Sequence, residues 1–148
     1  MKIKINHITD TDMVTKLYQA SKAGVKIDIV IRGNCSLVPG IKGLSENIRC
    51  VGIIDRYLEH SRILIFANGG KPRYFLGSAD WMPRNLLNRI EVLTPVYDEE
   101  LQADLMHTIS YGMRDTTNGR IVDGKGTNNF VEGEPFRSQQ ELYKEYKK

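Results

Sequence analysis

The sequence predicts an α/β fold, a mixed β-sheet flanked by helices, and three stretches carry that expectation. Lys26 to Ile31 is a run rich in β-branched residues bounded by Gly24 and Gly33, as in a strand buried on both faces. Lys2 to Ile8 alternates with period two and leads straight into a helical pattern, the order of a β-then-α unit. Arg62 to Ala67 and Arg73 to Ala79 flank Asn68-Gly69-Gly70-Lys71-Pro72, a strong turn signal that predicts a hairpin.

In chain order, the first strand places Ile3 and Ile5 inward. Thr9-Asp10-Thr11-Asp12 then offers N-cap chemistry to a helix whose Met13, Val14, Leu17 and Tyr18 fall at helical spacing, and Gly24 closes it. After the buried strand, Asn34 to Asn47 holds Pro39, Gly40, Gly43 and Ser45 and reads as a loop, with a turn of helix near Leu44. Arg49 to Ile54 is a further strand ahead of the hairpin, and Arg89 to Leu93 another, ended by Pro95. Asp98 to Met113 carries Leu101, Leu105, Ile109 and Gly112 on one helical stripe, with Asp98, Glu99 and Glu100 at its positive end. Residues 116–133 are polar and glycine-rich with a short strand around Ile121, and Ser138 to Lys148 predicts a charged amphipathic helix. This tail is the least constrained part.

At 148 residues and 41% hydrophobic content the chain fits a single domain over 1–148, able to bury a core without disulfides or a structural metal. A net charge of +3 favours anionic ligands only weakly and does not call for nucleic acid. Cys35 and Cys50 read as small buried hydrophobes of a reducing compartment. No leader pattern and no long apolar run is present, so neither a signal peptide nor a membrane span is expected, and a cytosolic location is. The abrupt start of the first strand suggests an excised piece. His7 and His107 with two dispersed cysteines make no zinc pattern, and the sequence lacks a P-loop, a G-x-G-x-x-G turn and a G-x-S-x-G elbow. Phosphate contact, if it occurs, must therefore come from arginines, histidine and loop amides.

Those residues are present. In Arg56-Tyr57-Leu58-Glu59-His60-Ser61-Arg62, an extended backbone puts His60 and Arg62 on one face, an imidazole beside a permanent cation, with Glu59 and Arg62 placed to bias its protonation. His60 lies between strands, accessible for proton transfer; a surface or hydrogen-bonded structural histidine is the plainer alternative. Arg32 follows the buried strand at its carboxyl end, where α/β sheets bind ligands, and its planar fork matches phosphate oxygens; its plainer alternative is pairing with a carboxylate. In Gly77-Ser78-Ala79-Asp80, the Ser78 hydroxyl and loop amides can donate to an anion and Asp80 can orient an imidazole. Trp81 and Met82 read as core, Arg84 and Arg89 as solvated charges, and His7 and His107 stand without a constellation.

Taken in order, Val30-Ile31-Arg32-Gly33, Gly43-Leu44-Ser45-Glu46-Asn47-Ile48-Arg49, the His60 stretch, and Ser78-Ala79-Asp80-Trp81-Met82-Pro83-Arg84-Asn85 closely resemble the C-terminal catalytic domain of the polyphosphate kinases that phosphorylate themselves on histidine. The match runs from about Lys2 to Pro95 and more loosely through 116–148. It implies one half of a phospholipase D-like fold, in which each half brings one histidine to a shared site. ATP then donates its terminal phosphate to a histidine of the other half, and the phosphohistidine extends polyphosphate, reversibly and with magnesium.

The resemblance carries Arg32 and His60 over as ATP or phosphate contacts, with His60 the general acid or base; Arg62, Ser78 and Asp80 are weaker phosphate-site candidates, and no metal ligand is assigned. The nucleophilic histidine and the magnesium-associated residues are expected in upstream domains of the same enzyme. ATP, ADP and polyphosphate are the expected partners, in a homo-oligomeric cytoplasmic enzyme whose membrane association is left open, and the chain alone is expected to be inactive. Compared with the wider phospholipase D pattern H-x-K-x4-D, Arg62 stands where lysine would be and Ala67 where aspartate would be. Two other readings remain: a small homodimeric phospholipase D-like nuclease or phosphodiesterase, and a non-catalytic interaction domain.

Overall fold

A computed structural model describes residues 1–147. Seven strands, β1 (Lys2–Ile5), β2 (Ile27–Ile31), β3 (Ile48–Ile53), β4 (Arg62–Phe66), β5 (Arg73–Gly77), β6 (Leu93–Val96) and β7 (Gly119–Ile121), form one mixed sheet in the order β6-β5-β4-β1-β2-β3-β7. Four helices accompany it: α1 (Thr11–Lys22), α2 (Pro83–Asn88), α3 (Glu99–Met113) and α4 (Ser138–Tyr146). β1, β2 and β3 are parallel, as the β-then-α unit predicts, and the remaining pairings are antiparallel.

Side-chain alternation divides the core in two. Ile3, Ile5, Ile29, Ile31, Cys50 and Leu64 face α1, where Leu17, Met13 and Val14 meet them. Val30, Val51, Ile53, Ile63 and Ile65 face α3, which inserts Ile109. β2 is thus apolar on both sides because helices cover both sides. Gly112 lets α3 approach: a Cβ there would lie 2.9 Å from a Val30 methyl. Each long helix starts on a carboxylate cap, Asp10 accepting from the Met13 amide at 2.9 Å and Asp98 from the Leu101 amide at 3.0 Å. Cys35 and Cys50 are free thiols.

Three expectations need correction. The strand expected at Arg89–Leu93 begins at Leu93 and runs through Pro95, which pairs in register with Phe75. Proline is tolerated because β6 is an edge strand and a side without a neighbour needs no amide donor. The helix α2 was not anticipated; Pro83 in its first turn is the cue. Asn34–Asn47 contains turns but no helix near Leu44, and the fully buried Ser45 pins it by donating to the Val38 carbonyl and accepting from the Ile41 amide.

The tail is also more firmly held than its composition suggests. Asp115, fully buried, accepts from the amides of Thr117, Asn118 and Gly119 through Oδ1 and from the Ser138 amide and hydroxyl through Oδ2. One carboxylate thereby starts both β7 and α4. Arg137 adds a two-pronged contact to Asp55 at 2.6 and 2.9 Å, which holds the Asp55 carboxyl down at about 2. The unfolded chain has it near about 4. Because the folded value is the lower one, this contribution is complete above about pH 4 and is lost as pH falls through about 2. The melting-temperature gap between the parent chain and Asp55→Asn is expected to be widest at roughly pH 5–7 and to narrow below about pH 4. A gap that does not narrow there would sink this assignment.

Candidate functional site

Strand direction collects the candidate residues at one end of the sheet. The carboxyl ends of β1, β2, β3 and β5 share that end with the amino ends of the oppositely directed β4, β6 and β7. Asn6 and His7 follow β1, Arg32 and Gly33 follow β2, His60 precedes β4, Arg62 opens it, and Ser78 to Asp80 follow β5.

Asp80 is the hub. Its carboxylate accepts from the Asn6 amide at 3.0 Å, the His7 amide at 3.3 Å, and Nε and Nη2 of Arg62 at 3.2 and 3.0 Å. Burial pushes this carboxyl up, but the Arg62 guanidinium and the two amides outweigh burial and hold it below the ordinary carboxylate range. Arg62 then reaches His60, donating from Nη1 to its carbonyl at 2.8 Å and lying 2.9 Å from Nδ1. Arg62 Nη2 also lies 3.4 Å from Nε2, so the guanidinium runs alongside both ring nitrogens with Nδ1 the nearer. The ring itself is exposed.

Arg32 donates from Nε to Asn6 Oδ1 at 3.1 Å, while the Asn6 Nδ2 donor is buried without a partner. No carboxylate pairs with Arg32 among the described residues, in contrast to Arg62 on Asp80, Arg49 on Asp28 and Arg137 on Asp55. The guanidinium is therefore positioned but not neutralised. His7 sits against the same loop: its Nδ1 accepts from the Asn34 amide at 3.0 Å, and a Cβ on Gly33 would fall 2.3 Å from its ring.

The predicted residues sort unevenly. His60, Arg62 and Asp80 form one bonded chain, with Arg32 linked to it through Asn6. Asp80 orients Arg62 and not the imidazole. Ser78 is turned away, donating to Glu91 and accepting from the Val92 amide, so its hydroxyl is occupied. Glu59 is turned to Lys4 at 2.6 Å and Gln139 at 2.9 Å. Trp81 is buried and Arg84 and Arg89 are exposed. His107, on α3, pairs with Glu145. Asn6 and His7 were missed as site residues; their place immediately after a strand's carboxyl end was the available signal. Among the described residues no group of three or more His, Cys, Asp or Glu could hold a metal ion, and Asp80 and Asp55 are each taken by an arginine. This edge does not fit a magnesium site.

Comparison with known proteins agrees with this layout. The family model for polyphosphate kinase C-terminal domain 2 matches residues 1–141. Polyphosphate kinase of Vibrio vulnificus (strain YJ016) is 47% identical over 144 residues, covering 95% of this chain and 21% of that protein. The crystal structure of polyphosphate kinase from Porphyromonas gingivalis superposes with a TM-score of 0.92 at 42% identity, over 99% of this chain and 23% of that one. NucT from Helicobacter pylori, 18% identical with a TM-score of 0.50 over 75% of this chain and 74% of its own, shares the fold alone. The chain spans about a fifth of the length of the curated relative (21%). Its mixed sheet and four helices are the phospholipase D-like half found in those enzymes, and the chain belongs to the polyphosphate kinase family as its second C-terminal domain.

Proposed function

We propose that this domain handles the phosphate oxygens in reversible transfer of the ATP terminal phosphate to polyphosphate, the phosphohistidine being carried by another domain. The observation that supports this most is the un-neutralised Arg32 held at the same sheet end as an exposed, oriented His60. Arg32 contacts ATP or the transferred group and offsets its spreading negative charge. His60 faces the oxygen whose charge changes. When Nδ1 accepts from Arg62, the ring's Nε2–H donates a hydrogen bond; it acts as a full acid or base only when Arg62 shifts off Nδ1, which an incoming phosphate competing for that guanidinium can bring about. Arg62 and Asp80 are the supporting pair, and Ser78 contributes only if Glu91 releases it.

On this reading ATP, ADP and polyphosphate are the substrates, and magnesium enters through residues of the upstream domains. The full enzyme is a cytoplasmic homo-oligomer. Among the described residues no helix is long and apolar enough to cross a membrane. The test is reconstitution: the 148-residue chain alone is expected to form neither polyphosphate nor phosphohistidine from ATP, and joining it to the upstream segments of a complete relative is expected to restore both. Steady polyphosphate synthesis by the isolated chain would refute the division of labour.

A further inference from the structure

Beside Arg32 lies a cavity of 420 Å³ that the proposed reaction does not use, at the ends of β2, β3 and β7. Its polar lining is Arg32, Arg120, Asn118 and Asn128, and no aspartate or glutamate contributes. Arg120 has only uncharged partners: it donates to the Asn128 carbonyl at 3.1 Å and lies over the Phe130 ring, 3.3 Å from its centre. That stacking fixes the guanidinium over the one aromatic in the lining. Two guanidiniums facing one cavity without a counter-charge repel each other and leave the space favourable to an anion.

The sheet sets where the two arginines attach. Ile31, Gly52 and Arg120 stand in one register row across β2, β3 and β7, with Arg32 next along the chain. Two strand spacings, about 10 Å, therefore separate the two arginine-bearing strands. The strand between them presents a glycine, where even a Cβ would meet nothing closer than 3.6 Å. The 420 Å³ volume leaves room for more than one phosphate group between the two side chains. We propose that this cavity is a second anion subsite, in which Arg120 holds phosphates of a polyphosphate chain beyond the group contacted by Arg32. The inference rests on the reading of Arg32 as a phosphate contact.

The test uses a complete polyphosphate kinase carrying this chain as its C-terminal domain, run as ATP synthesis from ADP and polyphosphates of increasing length. Arg120→Ala is expected to raise KM for long polyphosphate roughly tenfold and to flatten its dependence on length, with kcat and KM for ADP within about twofold. Arg120→Lys, which keeps the charge without the fork, is expected to recover part of the loss and controls for folding. Unchanged chain-length dependence in Arg120→Ala, an equal rise in KM for ADP, or equal displacement of polyphosphate by a single-stranded oligonucleotide of matched charge would each overturn the subsite. Arg32→Ala separates the two levels. If it abolishes turnover while Arg120→Ala is neutral, only the subsite fails; if both are neutral, the reading of Arg32 fails with it.

Discussion

Replacing His60 by alanine in a complete enzyme containing this domain is expected to lower phosphoryl transfer by about 10²–10⁴-fold, or about 3–5 kcal/mol of transition-state stabilisation. The ring is exposed and, among the described residues, its side chain hydrogen-bonds only Arg62, so the loss arises without unfolding, and melting of the variant stays close to that of the parent. His60→Gln discriminates between the two things an imidazole can do. Glutamine keeps an N–H donor but cannot exchange a proton, so a loss roughly tenfold smaller than that of alanine would mean that donation to the phosphate oxygen carries part of the effect. Equal losses would assign the whole effect to proton transfer. Near-parental turnover of His60→Ala would remove His60 from the reaction.

Asp80→Ala is expected to produce the largest loss of stability, about 3–5 kcal/mol. Asp80 is 4% exposed, and its removal strands the guanidinium of Arg62, whose side chain is 11% exposed, together with the amides of Asn6 and His7. For a domain of this size that is a fall of roughly 10 °C or more in melting temperature. Asp80→Asn retains an acceptor for the amides and should cost less. The double variant Arg62→Ala/Asp80→Ala should cost less than the sum of the singles, because the second change removes the charge that the first left unpaired. A cost under about 1 kcal/mol for Asp80→Ala, read from denaturant unfolding, would contradict the hub assignment. Activity should fall too, since Arg62 fixes the His60 ring.

What the sequence disclosed follows from how local each signal is. β2 was readable because an apolar run between glycines needs no distant partner to be recognised, and α1 because Asp10 caps it by accepting from an amide only three residues on. Pro95 misled because it breaks a central strand but not an edge, and edge position is a property of the whole sheet. Arg32 and His60 were nominated from their places beside strands, and the sheet brings both to one end. Asn6, His7 and Arg120 were not, because each matters through contacts 26 or more residues away or through a cavity that only the assembled sheet creates. Asp80 was found with the wrong neighbour: spacing placed it near the imidazole, and only the antiparallel pairing of β4 with β5 shows Arg62 standing between them.

Asp115 has a practical meaning for anyone dissecting such an enzyme. Its five bonds tie the start of β7 to the start of α4 across some twenty residues of irregular chain, and β7 carries Arg120. A boundary drawn after α3, where helical periodicity ends and composition turns polar, would remove one wall of a cavity together with Asp115, and would leave the Asp55 carboxylate without Arg137. The tail looks dispensable when its residues are counted by type, but it closes one side of the cleft.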